Sequence, residues 1–92
     1  MVNGNKYRIL FSKAAIKDKS KLKSAGLDKN CRKILDIMLE NPFKYPPSYE
    51  KLVGELAGYY SRRINRQHRI VYTVDEKKHE IYIIRMWTHY DE

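Results

Sequence analysis

Cysteine is nearly missing from this sequence: Cys31 stands alone among 92 residues, so no internal disulfide can staple the fold. Proline is confined to one tract, "PFKYPPS", which holds all three, Pro42, Pro46 and Pro47; that tract supports neither a helix nor a central strand and is read as a semi-rigid loop. No apolar stretch approaches the roughly 20 residues that cross a bilayer, which excludes a membrane-spanning helix. The start, Met1 to Lys6, lacks the basic lead and apolar run of a signal peptide. A cytoplasmic protein is therefore expected. Acidic residues are also scarce where it matters: between Glu55 and Asp75 there is no carboxylate, while Arg62, Arg63, Arg66 and Arg69 all fall there.

What is present is enough for a core. Hydrophobic residues make up 42% and aromatics 12% of the chain, with eight tyrosines, which rejects disorder. The length suits one domain spanning residues 1–92. Nineteen Lys and Arg against eleven Asp and Glu leave a formal net charge of +8, which favours a polyanionic partner such as nucleic acid or an acidic protein. Solubilising surface charge alone would give the same composition.

Periodicity divides the chain in two. "KYRILFS" alternates as a first strand. "SKAAIKDKSKLKSAG" places Ala15, Ile16, Lys19 and Leu22 at helical spacing, with Ser12 to cap the start and Gly26 to follow the end. "LDKNCRKILDIMLENP" sets Leu27, Cys31, Ile34, Leu35 and Met38 along one stripe, with Asp28 as candidate cap and Pro42 as stop. After the proline tract the period changes to two: "YEKLVGEL", "GYYSRRI", "HRIVYTV" and "EIYIIRMW" read as four strands, the later ones joined by short polar turns. The expected fold class is α+β: one N-terminal strand, two helices, then an antiparallel strand meander, with the helices packed on one face of the sheet.

The acid-free arginine cluster lacks salt-bridge partners nearby in sequence. Either acids from other strands pair with it, or it forms a basic face that takes phosphates through guanidinium contacts, with Tyr59 and Tyr60 available to stack on bases. Near the chain end "WTHYDE" carries His89 and Tyr90. A carboxylate, an imidazole and a guanidinium can supply the three roles that metal-free RNA cleavage needs. The base takes the 2'-hydroxyl proton, the acid protonates the leaving 5'-oxygen, and a fixed cation meets the charge on phosphorus.

"PPSYEKLVGELAGYYSRRINRQHRIVYTV", followed by "HY" near the end, resembles the Txe/YoeB family of toxins within the wider RelE superfamily. "ILFSKAAIKD", "SAGLDKN" and "LENPF" extend the likeness over nearly the whole chain, and "SRRINRQHRIVY" is its most specific piece. The resemblance implies the toxin of a type II toxin-antitoxin system, a ribosome-dependent endoribonuclease that cuts mRNA in the A site and halts translation. It needs no metal or other cofactor. Its implied catalytic residues are Glu50 as general base, His89 as general acid, Arg69 at the transition state and Tyr90 placing the RNA. Arg62 and Arg63 would hold the substrate backbone, with Lys51 and Arg66 as further RNA contacts. The implied partners are mRNA on the 30S or 70S ribosome, an acidic YefM/Axe-like antitoxin, and a second copy in a homodimer. Two departures stand out. Val53 replaces a lysine that some relatives carry three residues after the glutamate, leaving Lys51 nearby. Asp91 and Glu92 follow the tyrosine and would set negative charge beside His89. Two rival readings are a ParE-like toxin without nuclease chemistry and a non-catalytic RNA- or ribosome-binding module.

Overall fold

The computed structural model describes residues 6–87. Strand β1 (Arg8–Phe11) leads into helix α1 (Lys13–Ser24), and helix α2 (Asp28–Glu40) follows. Beyond the proline loop come β2 (Glu50–Lys51), a short 3-10 turn (Gly54–Leu56), β3 (Tyr60–Arg63), β4 (Arg69–Asp75) and β5 (Glu80–Arg85). The sheet order is β1-β5-β4-β3-β2. The last four strands form the expected antiparallel meander, and β1 adds in parallel to β5 at one edge.

Local chemistry explains the element ends. Ser12 Oγ accepts from the Ala15 amide at 3.0 Å, meeting one of the orphan donors that start α1. Gly26, at φ +74, takes the left-handed turn between the helices. Asp28 is the first residue of α2 rather than its cap; Leu27 holds the cap position without a side-chain hydrogen bond. Its carboxylate then sits in the first turn, where the helix dipole favours it.

The stripe on α2 behaves as its spacing predicts: Cys31 and Met38 are buried, and Leu27, Ile34 and Leu35 pack against the core. Burial of the Cys31 thiol pushes its pKa up to about 11. On α1 the buried positions are Ala15, Asp18 and Leu22, whereas Ile16 is 55% exposed. The helix is thus rotated from the orientation that its apolar residues alone suggest, because Asp18 is drawn inward. Its carboxylate accepts from Arg85 Nε at 2.9 Å and Nη2 at 3.3 Å, and from the Met86 amide at 2.9 Å. Burial would raise the Asp18 pKa, but these donors outweigh it and hold the carboxyl below its usual range.

Both helices cover one face of the sheet, where Ile70, Tyr72, Ile81 and Ile83 are fully buried. The expected strand "YEKLVGEL" is corrected: only Glu50 and Lys51 pair with β3. Gly54, at φ +71, then breaks the extended run, and Val53 and Gly54 carbonyls accept from the Leu56 and Ala57 amides instead.

Candidate active site

The pleat of β3 sends neighbouring side chains to opposite faces. Ser61 lies in register with Glu50 on β2, and Arg63 with Arg69 on β4, so these four occupy the face away from the helices. Arg62 is in register with Ile70, a core residue, and so points the other way. This parity decides what each arginine can do.

On the open face Arg69 Nη1 donates to Glu50 Oε1 at 2.6 Å and to Ser61 Oγ at 3.1 Å. The acid that the arginine cluster lacks within its own stretch is supplied by β2, 19 residues earlier. The Arg69 side chain is 13% exposed and that of Glu50 62%. The cation is therefore held in place by its surroundings, while the carboxylate is open to an incoming proton donor. A guanidinium in this setting can face a phosphate with little loss of side-chain entropy on binding.

On the helix side Arg62 is 1% exposed. Its Nη1 donates to Pro47 O at 2.7 Å, and its Nη2 to Pro42 O and Lys44 O, both at 2.9 Å. The guanidinium also lies 5.1 Å from the Tyr49 ring centre. Tyr72 Oη, buried and with its pKa pushed up to about 12 by that burial, donates to Pro42 O at 2.9 Å. Arg62 thus binds the proline loop, not a substrate. The expectation that it holds RNA is corrected: a side chain that donates to three carbonyls beneath the sheet is out of reach of a strand on the open face. Prolines explain the arrangement, since that tract cannot satisfy its carbonyls in a helix or ladder and needs an outside donor.

Tyr60 is corrected in the same way. It shares the face of Arg62 and packs among Phe43, Tyr49 and Tyr72, with ring centres 5.0, 6.1 and 5.7 Å away. These contacts occupy the ring that base stacking would use. Tyr59 is half-buried. Lys51 is exposed beside Glu50, Arg63 is exposed on β3, and Arg66 is exposed in the turn between β3 and β4. His89 and Tyr90, with Asp91 and Glu92, lie outside the described residues. The segment that leads to them is anchored twice. The Met86 amide is bound to Asp18, and Trp87 stacks on His68 with ring centres 3.9 Å apart and planes 18° from parallel. His68 immediately precedes Arg69.

The model of the YoeB-like toxin of bacterial type II toxin-antitoxin systems matches residues 11–90. The chain belongs to this family. Toxin YoeB of Synechocystis sp. is 36% identical over 67 residues, covering 68% of this chain and 76% of that protein. Among solved structures, YoeB in a heterotetrameric YoeB-YefM toxin-antitoxin complex from Staphylococcus aureus is 36% identical. Its TM-score is 0.77, over 91% of this chain and 98% of that one. A YoeB dimer from Staphylococcus aureus is 35% identical with a TM-score of 0.78, over 92% and 99%. The α+β, RelE-like architecture expected from the sequence is thus shared with solved YoeB toxins.

Within this YoeB-like chain, one group of the site, Ser61, and one group that anchors the end of β5, Asp18, escaped sequence reasoning. Ser61 has no signal beyond its place beside the arginine pair; only the register reveals that its hydroxyl faces Arg69. Asp18 did leave a trace, as the one acid in a helix carrying five lysines, but its partner Arg85 is 67 residues away.

Proposed function

We propose that this toxin is an endoribonuclease that cleaves mRNA in the ribosomal A site. The observation that carries the reading is the meeting of Glu50 and Arg69 at 2.6 Å on the open sheet face. Glu50 takes the proton of the 2'-hydroxyl, whose oxygen forms a bond to the adjacent phosphorus. Arg69, steadied by Ser61, meets the negative charge that builds on the phosphoryl oxygens. His89 gives its proton to the 5'-oxygen as the P–O5' bond breaks, leaving a 2',3'-cyclic phosphate and a 5'-hydroxyl. Tyr90 places the RNA. Side chains cover both proton transfers and the charge on phosphorus, so this chemistry needs no metal.

The anchored approach of residues 86 and 87 supports a role for His89, because the stack of Trp87 on His68 brings the chain beside the start of β4 two residues before the histidine. Arg63, Arg66 and Lys51, all exposed, would hold the RNA backbone around the linkage. With Arg62 committed to the proline loop, substrate positioning falls to these three and to the ribosome. Slow cleavage of naked RNA is expected. An acidic YefM-like antitoxin would neutralise the positive open face, and self-association into a dimer follows the Staphylococcus aureus relatives.

Mapping cut sites in actively translated mRNA tests the reading. Expression of the chain should leave breaks at defined codon positions, and Glu50→Ala should leave none. Growth arrest with intact mRNA would instead identify a non-catalytic ribosome binder or a toxin acting on another target.

A further inference from the structure

A second basic site lies at the opposite end of the sheet. Lys6, Arg8, Lys77, Lys78 and His79 line a shallow depression of about 390 Å³, and every one of these lining residues is basic. They come from the start of β1 and from the β4–β5 turn. Arg69 opens β4 and Asp75 ends it, so six steps of about 3.3 Å put the two sites ~20 Å apart.

The depression is built rather than incidental. Asp75 Oδ1 accepts from the Lys77 and Lys78 amides, both at 3.1 Å, which fixes the turn. His79 holds a left-handed backbone, φ 56, a conformation uncommon outside glycine. It is kept there by stacking on Tyr7 at 4.6 Å and 8° and by donation of the Arg8 amide to its carbonyl at 2.8 Å. Carboxylates flank the depression without lining it. Glu80 pairs with the lining residue Arg8, and Asp75, Glu76 and Glu80 line the neighbouring depression, which shares Lys77 with the first. Lys6, Lys77 and Lys78 line the first depression, and no acid is among its lining residues.

We propose that this depression binds a backbone phosphate of ribosomal RNA, one distinct from the scissile linkage, and acts as a second anchor during docking. The ligand chemistry is a phosphodiester: several donors of one sign around an open hollow suit a diffuse anion on an extended strand. The inference rests on the reading that this toxin works on the ribosome. Two contacts separated by ~20 Å would fix orientation as well as position, which one basic patch cannot do.

The test is the affinity of the full chain for ribosomes across a salt series, measured for Lys77→Gln/Lys78→Gln and for a control, Lys13→Gln/Lys17→Gln, on α1. The turn variant should bind about tenfold more weakly, and its log-log salt slope should flatten by about 0.7 to 0.9, one phosphate contact's worth. Its melting temperature should match the parent's. Unchanged affinity and slope, or an equal loss in the control, overturns this site while leaving the nuclease reading intact. A parent chain that binds no ribosome at any salt overturns the ribosomal reading itself, and this anchor with it.

Discussion

Arg62 and Arg69 sit on paired strands, carry the same guanidinium and have opposite fates. Arg62 is sealed on the helix side of the sheet against three carbonyls. Arg69 is held on the open side against a carboxylate and a hydroxyl. The two regions differ in what they ask of a cation. Beneath the sheet, removal from water costs several kcal/mol for an ion unless its donors are met. Arg62 meets that demand with backbone carbonyls, although among the described residues its Nε has no hydrogen-bond partner. On the open face the cation keeps a partner, Glu50, that is itself exposed to solvent. A fixed loop and a usable site follow from one alternation, because Arg62 organises the segment that ends in Glu50 while Ser61, next to it, receives Arg69.

The comparison breaks most sharply at the open face. Arg69→Ala and Glu50→Ala should each lower mRNA cleavage by about 10²- to 10⁴-fold, with ribosome affinity retained; Glu50→Ala, which removes the exposed partner of the pair, should change melting by only about 0 to 1 kcal/mol. Ribosome affinity falling in step with activity would make Arg69 a docking residue. Beneath the sheet the order reverses. Arg62→Met should cost about 2 to 4 kcal/mol in denaturant unfolding, because three loop carbonyls lose their donor. A melt unchanged by that substitution would mean the proline loop holds itself.

Asp18→Asn should cost about 1 to 3 kcal/mol through weakened donors at the Arg85 and Met86 end. The same carboxyl sets an acid limit. Its pKa is lower in the folded chain than its ordinary 3.8. Its contribution is therefore complete above that ordinary value and is lost as pH falls through the folded-state value. Acid unfolding of Asp18→Asn should lack this component, which a pH series of melting temperatures would reveal. The smallest effect belongs to Arg63. Arg63→Gln should flatten the salt dependence of ribosome binding by about 0.7 to 0.9 log units per log unit of salt, one phosphate contact's worth. An unchanged slope would place Arg63 off the backbone.

Much of the architecture was legible because its causes are local. The α2 stripe, the Ser12 cap, the left-handed Gly26 and the period-two runs each depend on neighbours within a turn or a strand. Reading failed where a distant group decided the outcome. Ile16 shares helical spacing with Ala15 and Leu22 yet is exposed, because Asp18 turns α1 toward Arg85. "YEKLVGEL" was expected as a strand, but Gly54 ends the pairing after two residues. Glu50 and Arg69 were nominated by resemblance and by chemistry, while their contact rests on the β2–β3–β4 register.

The sequence by itself determined the class of fold, the family and the inventory of charges, since periodicity, capping and motif order are carried by the chain's own spacing. It also determined that Arg62 and Arg63 point to opposite faces, because the pleat alternates whatever the surroundings. Only the tertiary structure decided which of those faces is covered by the helices, and so which arginine braces a loop and which stays exposed to solvent. The physical reason is that burial is a property of what packs against a strand, and the two helices that cover this sheet lie far from Arg62 and Arg63 in sequence.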